Sequence, residues 1–155
     1  MHRTTLRVRY GETDKAGVAW HGSYIAWLEV ARCELLRAHG IDYARFEVEE
    51  QLFLTVAGIE LKYLAPSRYD EELVIESGLQ NVEGASARFA QRILRGTQLL
   101  TEAVVRVACV DGGGKVRPFP RHLKAALLAA SAVGNDATPG FVARPAPSGA
   151  SGADS

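Results

Sequence analysis

Ser23-Tyr24-Ile25-Ala26-Trp27-Leu28-Glu29-Val30-Ala31-Arg32-Cys33-Glu34-Leu35-Leu36-Arg37-Ala38-His39-Gly40 is the stretch on which the fold turns. Tyr24, Trp27, Leu28, Ala31, Leu35 and Ala38 fall on one stripe at helical spacing, and Ile25 and Leu36 add a second apolar edge. A helix with so wide an apolar surface has to be wrapped on most sides. Ser23 is a candidate N-cap, and Gly40 stands where a left-handed residue closes a helix.

On the C-terminal side, a short helical or irregular stretch over residues 43–50 gives way to a period of two. Ile59, Leu61 and Tyr63 alternate with Glu60 and Lys62 until Pro66; Leu73, Ile75 and Leu79 alternate with Glu76 and Gln80. After a turn at Glu83-Gly84, Ala87, Phe89 and Ile93 alternate with Arg88 and Arg92. A second turn at Arg95-Gly96-Thr97-Gln98 leads to Ala103, Val105, Val107 and Cys109, which alternate with Glu102 and Arg106. Gly112-Gly113-Gly114 ends the last strand, and residues 121–133 fit a terminal helix. On the N-terminal side, Leu6, Val8 and Tyr10 alternate with Arg7 and Arg9 up to Gly11, and the polar run Glu12-Thr13-Asp14-Lys15-Ala16-Gly17 is turn-prone. The order strand, long helix, four antiparallel strands predicts an α+β fold: a curled five-stranded antiparallel sheet wrapped around a long central helix. One domain over residues 1–133 is expected, followed by a Gly-, Ala-, Ser- and Pro-rich tail over 134–155 with too little apolar content to order. Such a sheet leaves an open edge and an uncovered face, so a homodimer or homotetramer is expected.

Composition narrows the function mainly by exclusion. At 155 residues and 47% hydrophobic the chain can bury a single core, and its 18 basic and 18 acidic residues give no field to attract nucleic acid or an anionic membrane. No apolar run approaches a membrane span, and the first six residues lack the apolar segment of a signal peptide, so a cytoplasmic protein is expected. Cys33 and Cys109 sit in apolar patterns without ligand spacing; both read as buried core thiols, with no metal and no disulfide.

Reactive residue types are densest in Tyr10-Gly11-Glu12-Thr13-Asp14-Lys15-Ala16-Gly17-Val18-Ala19-Trp20-His21-Gly22-Ser23-Tyr24. This run resembles the N-terminal motif of the 4-hydroxybenzoyl-CoA thioesterase-like hot-dog enzymes, including the acyl-CoA thioesterases associated with the Tol-Pal system. The resemblance continues through residues 24–37, Leu61-Lys62-Tyr63-Leu64-Ala65-Pro66 and Val105-Arg106-Val107-Ala108-Cys109-Val110-Asp111. It implies a hot-dog fold and hydrolysis of an acyl-CoA thioester, with coenzyme A as part of the substrate and no other cofactor. It implies that Asp14 attacks the thioester carbonyl or activates water, and that His21 offers its backbone N–H to the thioester oxygen and its imidazole to the acyl group or water. Gly17, Trp20 and Tyr24 join the substrate site by the same resemblance, with Lys62, Lys115 and Arg117 as candidates for the CoA phosphates and Arg88 and Arg92 as further ones. Where the hydroxybenzoyl enzyme has a basic cluster between its third and fourth strands, this chain has Glu83-Gly84-Ala85.

Helix physics agrees with that assignment: a helix start offers free N–H donors and a favourable dipole to the charge that develops on a thioester oxygen. A loop aspartate also commonly closes a turn onto its own backbone, and this second reading of Asp14 stands beside the first. Glu29, on the helix, is the alternative carboxylate and a candidate partner for Arg32. Two rival functions remain: hydration or dehydration of acyl thioesters on the same fold, and a non-catalytic acyl-CoA-binding scaffold.

Overall fold

The computed structural model describes residues 1–132. The tail expected to be disordered, 134–155, lies outside the described residues. The elements run β1 (His2–Arg7), a 3-10 turn (Tyr10–Glu12), α1 (His21–Ala38), α2 (Tyr43–Glu50), β2 (Leu52–Tyr63), β3 (Glu72–Glu83), β4 (Ser86–Arg95), β5 (Gln98–Asp111) and α3 (Arg121–Ala132). All five strands join one antiparallel sheet in the order β1-β3-β4-β5-β2, which leaves β1 and β2 as open edges.

The face that α1 covers follows from the register. Ser77, Gln91, Ala103 and Leu61 share one row across β3, β4, β5 and β2, and the Gln91 amide donates to the Leu28 carbonyl of α1 at 2.9 Å. The same face carries Ile75 and Ile93 in one row and Leu79, Phe89 and Val105 in another; all five are buried. Against them α1 sets Tyr24, Trp27, Leu28, Ala31, Leu35 and Leu36, which completes the expected sheet wrapped on a helix. At the helix C-terminus the Gly40 N–H donates to the Arg37 carbonyl and the Ile41 N–H to the Leu36 carbonyl, with Gly40 at φ 84°. This is a Schellman closure and gives Gly40 its expected role. The stripe Phe119, Leu123, Leu127 and Ala130 brings α3 into the same core, against β3 and α1.

Several local expectations change. The alternation through Tyr10 does not continue as strand: β1 ends at Arg7, and Tyr10 lies in the 3-10 turn, 80% exposed. The second strand begins at Leu52, seven residues before Ile59. Its register against β5 shifts between Val56 and Gly58, so Ala57 is an extra residue. Upstream of that bulge the even residues Leu52, Leu54 and Val56 pair with Asp111, Cys109 and Val107; downstream the odd residues Ile59, Leu61 and Tyr63 take over that face. Ile25 is exposed, leaving the second apolar edge of α1 half uncovered. Cys109 is buried, but Cys33 is only partly so.

Candidate active site

Residues 12–20 form a small hairpin against the first turn of α1. The Trp20 N–H donates to the Glu12 carbonyl at 3.0 Å, Thr13 and Ala19 form an antiparallel bridge, and the Asp14 N–H donates to the Val18 carbonyl at 2.8 Å. The chain returns through Gly17 at φ 80°, a conformation that only glycine adopts without strain, and the Gly17 N–H donates to the Asp14 carbonyl at 3.0 Å. The exposed Asp14 carboxylate accepts the Ala16 N–H on Oδ1 at 2.8 Å and the Val18 N–H on the same oxygen at 3.4 Å. Asp14 thus makes the turn expected of a loop aspartate. That turn fixes one carboxylate oxygen and leaves Oδ2 without a hydrogen-bond partner among the described residues.

The helix begins earlier than its composition suggests. Trp20, which has no side-chain oxygen, occupies the N-cap, and Ser23 lies inside the first turn. Ser23 Oγ instead donates to the Glu12 carbonyl at 2.8 Å and ties the hairpin to the helix, while the Ser23 N–H donates to the Trp20 carbonyl. With no side-chain cap, the N–H groups of His21 and Gly22 have no acceptor among the described residues. The Trp20 indole folds over this end: a Cβ at Gly22 would collide with it, and it meets the His21 ring edge-on at 5.2 Å.

Below these donors a cavity of about 300 Å³ opens between α1 and the end of β2, lined by Ala19, His21, Tyr24, Tyr63 and the segment Leu64-Ala65-Pro66. The Tyr63 hydroxyl donates to the His21 carbonyl at 2.6 Å. Burial, then the neighbouring Tyr24 phenol, raises the Tyr63 hydroxyl above the usual tyrosine range, so it stays a donor. The buried Tyr24 phenol accepts the Ser67 N–H at 3.0 Å and pairs with Ser67 Oγ at 3.0 Å; its ring contributes a wall, and its oxygen is already occupied.

Trp20, His21 and Tyr24 are therefore brought together, and Gly17 shapes the loop that carries Asp14. Lys62 is not: it pairs with Glu102 in register, on the sheet face turned away from α1. Arg92 stands on that outer face in an ion pair with Glu76 at 2.6 Å, and Arg88 lies opposite Arg106 there. Lys115 and Arg117 follow the end of β5, where Asp111 accepts the Lys115 N–H and the Arg117 guanidinium. Asp111 pairs with Leu52, whereas Tyr63 pairs with Thr101 at the other end of the same ladder, roughly 30 Å away by strand rise. One copy of the chain does not bring these two cations to His21. Glu29 is exposed on α1 and forms no ion pair with Arg32, which turns inward. Tyr63, Ser67 and Glu12 were not singled out by sequence; an aromatic residue ending an apolar alternation just before Pro66 was the available signal for Tyr63.

A curled five-stranded antiparallel sheet on one long helix is the architecture of the hot-dog thioester hydrolases. The model of the Thioesterase-like superfamily matches residues 8–127, and the chain belongs to that family. It is 38% identical over 124 residues to the acyl-CoA thioesterase YbgC of Haemophilus influenzae, covering 79% of this chain and 90% of that one. The DHNA-CoA thioesterase structure from Staphylococcus aureus superposes with a TM-score of 0.77 at 26% identity, covering 84% of this chain and 89% of that one. A 4-hydroxybenzoyl-CoA thioesterase shares the fold at a TM-score of 0.75 and 18% identity, over 81% and 97% of the two chains.

Proposed function

We propose that this chain hydrolyses a small or aromatic acyl-CoA thioester to the free acid and CoA. The observation that carries the reading is the set of unoccupied N–H donors at the start of α1, which the same hairpin joins to a carboxylate held by its own turn. The thioester oxygen sits on the His21 N–H, where donors and helix dipole favour the charge of the tetrahedral state. Asp14 then acts in one of two ways. As nucleophile, its free oxygen attacks the carbonyl carbon, CoA leaves as the thiolate, and water cleaves the resulting anhydride. As general base, it takes a proton from a water molecule that attacks the carbon directly.

The active form is a cytoplasmic homodimer or homotetramer. The open β2 edge and the exposed Ile25 and Val30 on α1 favour a second copy. Lys115 and Arg117 reach a CoA phosphate only if another copy supplies them. Release of thiol from a panel of acyl-CoA esters, scored by kcat/KM, tests the reading. Turnover of at least one short or aromatic ester is expected. Hydration of an enoyl ester without thiol release would point to the hydratase chemistry, and binding without any turnover to a scaffold.

A further inference from the structure

Arg32 is a charged residue in the apolar stripe of α1, between Leu28 and Leu36, and it is 7% exposed. A buried guanidinium is strongly unfavourable unless its donors find acceptors. Here one does: Nη1 donates to Gln91 Oε1 at 3.0 Å. Gln91 is itself 1% exposed, and its amide nitrogen donates to the Leu28 carbonyl at 2.9 Å and to Ser77 Oγ at 2.8 Å. With both amide hydrogens engaged, the Gln91 oxygen is committed to Arg32 and holds the guanidinium in place. The remaining four N–H donors of Arg32 have no partner among the described residues. Desolvation lowers the basicity of Arg32, with Glu29 pulling the other way, as expected for a cation held in apolar surroundings.

The guanidinium lines a cavity of about 280 Å³ between α1, α2, β2 and the centre of the sheet. Leu36, Leu54, Val56, Phe89 and Val107 provide apolar walls, while the acids Glu29 and Glu47 lie on its lining, the first of them exposed to solvent. Eleven residues of helix separate Arg32 from His21, about 16 Å, so this cavity is distinct from the one beneath the helix start. The combination of short apolar walls with a fixed, planar set of N–H donors matches a small carboxylate, which a guanidinium binds through two parallel hydrogen bonds.

We propose that this cavity binds a short carboxylate with an apolar body of a few carbons, its two oxygens on Arg32. The carboxylate is that of a free acid, because an acyl chain of a few carbons with its thioester at His21 does not span the roughly 16 Å to Arg32. The site stands independently of the thioesterase reading.

The test uses sodium valerate and sodium phenylacetate against pentanol and 2-phenylethanol, followed by ¹⁵N shifts of the Leu54 amide and the Arg32 side chain in the full chain. Both acids should bind at least tenfold more tightly than the matching alcohols. Arg32→Met, which keeps the length of the side chain, should abolish the difference, and Leu54→Phe, which fills the cavity and leaves Arg32, should weaken all four probes; a cooperative melt confirms that each variant folds. Equal affinity for acid and alcohol, binding unchanged in Arg32→Met, or no shift at these positions up to about 20 mM overturns the proposal. Kinetics on glutaryl-CoA and valeryl-CoA checks that the two cavities are separate: the glutaryl-to-valeryl kcat/KM ratio should be unmoved in Arg32→Met while acid binding is lost, and a tenfold fall in the ratio would overturn the assignment to a free acid. Failure of every thioester to turn over would sink the thioesterase reading and leave the binding result standing.

Discussion

The hydroxyl of Tyr63, the last residue of β2, donates to the carbonyl of His21, the first residue of α1, at 2.6 Å. This bond ties an edge strand to the residue whose N–H faces the proposed oxyanion, so Tyr63→Phe should affect folding and activity together. A loss of about 1 kcal/mol in unfolding free energy is expected, with a several-fold fall in kcat/KM. Urea denaturation beside steady-state kinetics checks both; a stability loss with kinetics unchanged would reduce Tyr63 to a packing residue.

Asp14→Asn keeps the size of the side chain and an oxygen to accept the Ala16 N–H, but it deletes the charge. kcat should fall by two or more orders of magnitude, about 3 kcal/mol or more, with KM and melting temperature little changed. Single turnover in ¹⁸O-water then separates the two roles: an anhydride hydrolysed at the Asp14 acyl carbon leaves label in the protein, whereas direct water attack labels only the product acid. Wild-type turnover by the variant would remove Asp14 from the chemistry and make Glu29 the next carboxylate to test.

Gly17→Ala meets no atom within 4 Å, so its cost is purely that of φ 80°. About 1 kcal/mol of stability should be lost, and turnover should drop because the same turn holds the Asp14 carboxylate. An unchanged urea midpoint would show that the loop relaxes freely.

Glu71 should be one source of acid sensitivity. Burial raises its carboxyl, but the bonds from the Arg95 guanidinium at 2.7 Å and from the Arg68 N–H outweigh that and hold it below its ordinary 4.5. A carboxyl lowered by folding contributes stability that is complete above the unfolded value and lost as pH falls through the folded one. Melting temperature should therefore hold from neutral pH down to about 5 and drop below 4.5. Glu71→Gln should flatten that drop and cost about 1 kcal/mol or less at neutral pH, since both partners are partly exposed.

Sedimentation at micromolar concentration should give a dimer or tetramer. A monomer with full turnover would mean that the open β2 edge and the bare side of α1 serve some other contact, and that Lys115 and Arg117 play no part in holding CoA.

The elements were legible where one face is buried along their whole length. The stripe in α1 and the alternations of β3, β4 and β5 follow from burial on a single side, and the Asp14 motif located the loop and the helix start. Ser23 misled because a serine before an apolar run looks the same whether it caps a helix or, as here, anchors the neighbouring hairpin through the Glu12 carbonyl. Lys62 misled because which face of a strand meets the helix depends on register with β5, a relation across forty residues. The one local sign at Arg32 is its place in the apolar stripe between Leu28 and Leu36; the acceptor that holds it inward, Gln91, lies 59 positions away.

The extra residue in β2 has a consequence for how this strand can change length. Ala57 lets Leu54 and Val56 reach the Arg32 cavity while Tyr63 reaches His21, although the two sets differ in parity along the chain. Deleting Ala57 would remove the bulge and leave a regular ladder with both halves still on the same face, so a single-residue gap here should be tolerated, whereas a gap elsewhere in β2 would turn one half of the strand inside out. Homologues should therefore carry either a regular strand or one extra residue at this point, and an engineered gap elsewhere in β2 should be rescued only by adding one residue back nearby. The irregularity at Ala57 is thus one the strand can lose while its two cavities go on sharing one helix.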